Sequence, residues 1–155
     1  MTSAIRDRTP ETLIAEERTA RHPVMLVSFD ISFDDDAVET AIEAAVQANS
    51  ELMICLAVTL PVANANAAAR RTMGNPVVRE EIREIMIRAR AAGANPRQLV
   101  YNTPRPLSAT IDITRTRPIG LLVFGPSRRI YGRLRFRLHL RRLRRKANCL
   151  VWPLE

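Results

Sequence analysis

With 155 residues, 46% of them apolar, the chain is the size of one domain and can bury a core without disulfides or metals. No apolar run approaches the roughly 20 residues a membrane-spanning helix needs, and the charged start at residues 1–8 has no apolar stretch behind it. Neither a span nor a secretory signal is therefore expected, which implies a cytoplasmic location.

The net charge of +8 is unevenly spread: residues 1–112 carry 12 basic and 15 acidic side chains, residues 113–155 carry 12 basic and one acidic. Such asymmetry points to an anionic partner: nucleic acid, a phosphorylated ligand, a membrane surface or an acidic protein. Lys146 is the only lysine, so arginine preference runs through the whole chain and the clustering carries the signal.

Residues 1–21 are polar and read as an extension outside the core, in which Thr9-Pro10-Glu11 would open a short helix reaching Thr19. Residues 24–29 form a short, apolar, β-branched run after Pro23, a buried strand ended by Asp30-Ile31-Ser32. Asp34, Asp35 and Asp36 suit a helix start, and Ala37, Val38, Ala41, Ile42, Ala45 and Val46 recur with helical spacing over residues 35–49. Residues 52–58 make a second strand. Residues 62–76 read as a long connection. A second helix spans residues 76–92, with Val78, Ile82, Ile85, Met86 and Ala89 on one face and Gly93 as its stop. Residues 98–101 make a short third strand, and Pro106 opens a Thr-rich third helix. Residues 119–124 form a fourth strand ending at Gly125, and residues 150–152 form the last. This alternation implies βαβ units, right-handed crossovers and a parallel sheet. A ligand would sit beyond the strand C-termini where strand order reverses, at the loops after strands one and four.

Cys55 and Cys149 both lie among apolar residues and read as buried thiols. No CxxC or Cys/His spacing suggests zinc, and neither His22 nor His139 has a ligand-type neighbour, so no metal is expected.

Phe29-Asp30-Ile31-Ser32 before an acidic helix start, Pro106 at the third helix, and Leu121-Leu122-Val123-Phe124-Gly125 followed at the usual distance by a helix and a short strand resemble the universal stress protein (UspA-like) family over about residues 22–155. The resemblance implies an α/β fold: an open five-stranded parallel sheet of order 3-2-1-4-5, flanked by helices, of the adenine nucleotide alpha hydrolase-like kind. It also implies a homodimer paired through the last strand, Leu150, Val151 and Trp152. Asp30 matches the residue that contacts the nucleoside in ATP-binding relatives, Val58 falls at the base pocket, and Ser32 belongs to the same loop. Each has a plainer reading: Asp30 with Ser32 as a cap of the next helix, Val58 as core.

The departures are larger. Nucleotide-binding members carry G-x-x-G-x9-G-S/T after strand four, with glycines that let backbone N–H groups wrap the phosphates. In that register Gly125 is retained, but Arg128, Leu138 and His139 replace the other glycines and the Ser/Thr, Pro126 removes a donor, and Gly132 is out of phase. No cofactor is expected, and ATP, if bound, is bound weakly, with Arg128 and Arg129 as side-chain phosphate ligands.

Arg133 to Leu140 alternates like a strand, yet Phe136, Leu140, Leu143 and Ala147 form a helical stripe. The family register puts an irregular loop before about residue 138 and a helix after it. Arg133, Arg137, Arg141, Arg142, Arg144 and Arg145 are then either a solvated face or a docking surface for an anion. Tyr131 and Phe136 are the only aromatics nearby, too few for base-specific RNA reading. No Ser/His/Asp grouping, paired carboxylates or P-loop appears. The expected function is therefore regulatory binding, not dedicated turnover. An ATP-binding protein with slow hydrolysis through Asp30, Arg128 and Arg129, and a nonspecific nucleic-acid module, stand as alternatives.

Overall fold

A computed structural model describes residues 22–59 and 75–153. The helix expected within residues 1–21 and most of the connection at 62–76 lie outside them. In chain order the elements are β1 (Val24–Ser28), α1 (Asp35–Ala48), β2 (Glu51–Thr59), α2 (Pro76–Ala91), β3 (Asn95–Thr103), α3 (Pro106–Thr116), β4 (Leu121–Phe124), α4 (Arg128–Tyr131), α5 (Arg133–Lys146) and β5 (Leu150–Trp152). The five strands form one sheet of order β3-β2-β1-β4-β5, and every pairing is parallel.

β1 is buried along its whole length because it is central, with β2 on one side and β4 on the other. Alternate residues feed two cores. Leu26, Ile54, Leu56 and Val123 point to the face covered by α1 and α2, which contribute Val38, Ala41, Val78 and Ile82. Met25, Val27, Cys55, Leu122 and Phe124 point to the face covered by α3 and α5, which contribute Ile111, Phe136, Leu140 and Leu143. Burying each large aliphatic side chain stabilises the fold by about 1.5–3 kcal/mol before chain entropy is counted.

Several expectations need correction. α1 is capped by Asp34, whose side chain accepts from the Asp36 N–H at 3.0 Å, and not by Asp30 with Ser32. β3 is nine residues long, not four, because it pairs with β2 over its full length despite exposed Arg97, Gln98 and Asn102. As an edge strand it needs hydrogen bonds on one side only, so Pro96 is tolerated. β4 begins at Leu121, where its pairing with Val24 of β1 starts, and the Gly120 N–H just before it donates to the Pro23 carbonyl at 2.9 Å. Cys149 is half-buried, whereas Cys55 is fully buried.

The Thr-rich helix α3 forms because its buried threonines are satisfied locally. Thr110 Oγ1 donates to the Pro106 carbonyl at 2.8 Å, and Thr114 Oγ1 to the Ile111 carbonyl at 2.7 Å.

The largest correction falls after β4. The segment expected to be an irregular loop before residue 138 is helical: the single turn α4, a break at Gly132 with φ +93°, then α5 from Arg133. Burial decides between the two periodicities. Phe136, Leu140 and Leu143 are buried while Leu134 and Leu138 are exposed, so the 3.6-residue stripe prevails over the alternation.

Candidate functional site

The loops after β1 and β4 meet at the point where strand order reverses. The Gly125 N–H donates to the Val27 carbonyl at 2.8 Å, the Asp34 N–H to the Gly125 carbonyl at 2.9 Å, and the Ser127 N–H to the Ser32 carbonyl at 2.8 Å. Phe33 and Pro126 face each other as an antiparallel bridge, and Phe33 is buried between the loops. These bonds take up the Gly125, Ser127 and Asp34 N–H groups, which are then not free to meet a phosphate. The Phe33 N–H is taken as well, by Glu81 Oε1 on α2 at 2.8 Å.

Gly125 has a packing reason to be glycine. A Cβ there would lie 2.7 Å from a Leu26 methyl, 3.2 Å from the Val27 carbonyl oxygen and 3.3 Å from the Phe33 ring. Asp30 adopts a left-handed conformation with φ 55°, and its Oδ1 accepts the Asn75 N–H at 2.8 Å. That bond holds the residue whose own side chain caps α2 by accepting from the Val77 N–H at 3.0 Å. Ser28 Oγ donates to the Ile31 carbonyl and braces the turn between them. Val58 is buried in the core beneath α2.

Arg128 faces a cavity next to these loops. It lines a cavity of about 320 Å³ beyond the ends of β4 and β5, together with Asp34, Asp36, Phe124, Phe136 and Trp152. Its guanidinium carbon sits 4.8 Å from the centre of the Phe136 ring, a cation–π contact. Asp30, Ser32, Val58 and Arg129 are not part of that lining. The structure thus places Asp30, Ser32 and Gly125 in the paired loops, and Arg128 in the cavity that Asp34 and Phe124 line beside them. The two remaining positions of the glycine motif, Leu138 and His139, are in the middle of α5, where no loop can wrap a phosphate.

Sequence reasoning missed the aromatic group over β1 and β4. Phe29 packs edge-on to Phe124 at 5.5 Å and to Tyr131 at 6.2 Å, and Phe124 lies 4.9 Å from Phe136. The Tyr131 hydroxyl is hydrogen-bonded to His139 Nδ1, and Arg135 lies 4.3 Å over the Tyr131 ring. Burial pushes the Tyr131 phenol up to about 12. Burial, then the positive charges of Arg135 and Arg142, lower the pKa of His139. The phenol therefore donates to a neutral imidazole. Eight residues and the break at Gly132 separate the two groups, so no single helical period links them in the sequence.

Arg133, Arg137, Arg141, Arg142 and Arg145 are exposed on α5, and Arg144 is half-buried with its Nη2 donating to the Pro153 carbonyl. The ion pairs between described residues, Arg83–Glu80 and Arg97–Glu51, lie far from this helix in sequence and involve none of its side chains. A second cavity, of about 300 Å³, lies by the start of β4 and includes His22, Arg115, Arg117 and Asn148. Arg115 closes the end of α5 by donating to the Lys146 carbonyl at 3.1 and 3.3 Å.

No family model matches the chain, and no curated protein matches it. Solved structures do. A universal stress protein in complex with cAMP superposes with a TM-score of 0.57 at 20% identity, covering 86% of this chain and 96% of that one. The universal stress protein UspA from Lactobacillus plantarum gives 0.64 at 14% identity, covering 84% and 94%. The universal stress protein from Archaeoglobus fulgidus in complex with dAMP gives 0.61 at 16% identity, covering 84% and 95%.

The fold is that of the universal stress proteins. These neighbours bear out the fold class and the sheet order inferred from the sequence, and they support the UspA-like resemblance. Among the described residues no helix is long and apolar enough to cross a membrane.

Proposed function

We propose that this chain is a UspA-like regulatory binding protein in which ATP binding is weak or lost and α5 presents a basic surface to an anionic partner. One observation carries the reading: the Gly125, Ser127 and Asp34 N–H groups at the switch point are taken up by the contact between the two loops, with Phe33 buried in the seam. A nucleotide would have to separate those loops or find its phosphate ligands beyond them. Each charge-assisted hydrogen bond lost from a backbone cradle is worth roughly 1.5–3 kcal/mol, so two lost bonds weaken binding by about a hundredfold or more. Calorimetric titration with ATP·Mg tests this. Weak or undetectable binding at millimolar nucleotide is expected, and micromolar binding overturns the reading.

A second reading, adenine-nucleotide binding, is favoured by the neighbours solved with cAMP and dAMP. It would use Asp30, Ser32, Val58 and Gly125 for the nucleoside and Arg128 with Arg129 for phosphate, with slow hydrolysis as its extreme form. The engagement of Asp30 by Asn75 and the placement of Arg128 beside Asp34 and Asp36 weigh against it.

The protein is further proposed to pair as a homodimer through β5. That strand is at the sheet edge with Leu150 69% exposed, and Pro153 limits how far backbone pairing can extend. Packing of Leu150 and Trp152 would supply the remainder. Light scattering at micromolar concentration should give a dimer; a monomer counts against this assembly.

A further inference from the structure

The outer face of α5 is not uniformly charged. Leu134 and Leu138, one helical turn apart, are 72% and 53% exposed, and Ile130 in α4 is 64% exposed. At 100° per residue, Leu134 and Leu138 share the arc opposite the buried Phe136/Leu140/Leu143 stripe with Arg141, Arg142 and Arg145, and Arg137 flanks them. The helix therefore has two apolar faces of different fate. One is packed on the sheet; the other is a short aliphatic ridge among arginines whose charges are not balanced by any ion pair between described residues.

We infer that this outer face docks on an anionic lipid surface, with the leucine ridge entering the headgroup region and the arginines engaging the lipid phosphates. The inference rests on reading α5 as a docking surface and names its partner. Three observations select lipid. The exposed apolar groups are aliphatic, while Tyr131 and Phe136 are buried, so no ring is free to stack on nucleic acid bases. Leu134 and Leu138 line neither cavity described above and stand out as an exposed ridge, a shape suited to entering a headgroup layer. Arginines beside and beyond an apolar ridge can lay their alkyl stems along it and raise their guanidinium groups to the phosphates. A cluster of this size on an amphipathic helix has the charge density that anionic headgroups attract.

The test uses the full chain in co-sedimentation with phosphatidylcholine vesicles, with and without phosphatidylserine, with circular dichroism to verify that each variant is folded. Binding to the phosphatidylserine vesicles should exceed binding to neutral ones by about tenfold or more. The double substitution Arg141→Glu with Arg145→Glu should weaken it by about thirtyfold, and Leu134→Ser with Leu138→Ser by about tenfold. Failure of the wild-type chain to bind anionic vesicles overturns the inference, and so does vesicle binding that survives the leucine substitutions. Tighter binding to a short duplex DNA or to polyglutamate, abolished by the arginine substitutions, leaves the docking reading standing and overturns the assignment to lipid. Micromolar ATP binding in the separate titration overturns the loss of nucleotide binding without touching the vesicle result.

Discussion

Two stretches that follow one another after β4 behave in opposite ways. Residues 125–127 are short, buried or half-buried, and tied to the β1 loop by backbone hydrogen bonds at 2.8–2.9 Å. Residues 128–146 are long, carry ten of the chain's 24 basic side chains, and expose nearly all of their charge. The first occupies the position where an open α/β sheet ordinarily binds its ligand, and there it is bonded to the neighbouring loop. The outer face of the second lines neither described cavity, yet it concentrates the groups that a ligand would meet. Position in a fold and chemical readiness to bind are separate properties, and here they have moved apart.

The comparison can be broken most strongly at the inner face of α5. Leu143 is fully buried against the sheet, and Leu143→Ala should cost about 2–5 kcal/mol. Chemical denaturation measures it, and a loss below about 1 kcal/mol would mean that α5 is not packed as described. Gly125→Ala comes next. Its new methyl must displace Leu26 and press on Phe33, at a cost of about 1–3 kcal/mol. If that variant instead gains ATP affinity, the seam between the loops is the barrier to nucleotide binding, which sharpens the comparison further.

Removing the α1 cap with Asp34→Ala should cost about 1 kcal/mol by the same measurement. The effect of pH is smaller and has a definite sign. His139 has a lowered pKa in the folded chain, so below about 6.5 the unfolded chain takes up its proton first. The folded state then loses stability as pH falls through the unfolded pKa toward the folded one, and above that window His139 contributes no pH dependence. His139→Asn should flatten the slope of stability against pH in that window; an unchanged slope assigns it to other groups. The smallest stability effect belongs to the outer face, where Arg141→Ala should change stability by no more than about 0.5 kcal/mol while weakening any anion binding.

The legibility of the molecule followed the same division. The strands with continuous apolar runs, residues 24–28 and 52–58, announced themselves, as did α1 and α2 through their 3.6-residue stripes. β3 was cut short in the sequence reading because its polar residues give no apolar signal; its length comes from the β2 edge it pairs with. Asp30 and Gly125 were singled out from the sequence and lie in the two facing loops, but their partners, Asn75 and the Leu26–Phe33 pair, are contacts across the chain that no local pattern reports.

What the sequence determined by itself was the order and type of most elements, the parallel sheet they must form, and the charge carried by the last third of the chain. Those follow from local periodicity, from the handedness of βαβ crossovers and from composition. Only the tertiary structure decided whether residues 133–140 run as strand or helix. Both periods are written there, and the choice belongs to the sheet face that buries Phe136, Leu140 and Leu143 and leaves Leu134 and Leu138 in water. It likewise decided that the two loops at the switch point are joined, because the joint depends on Phe33 and Gly125 meeting across 92 residues of chain, a distance at which burial and backbone hydrogen bonding speak and local propensity does not.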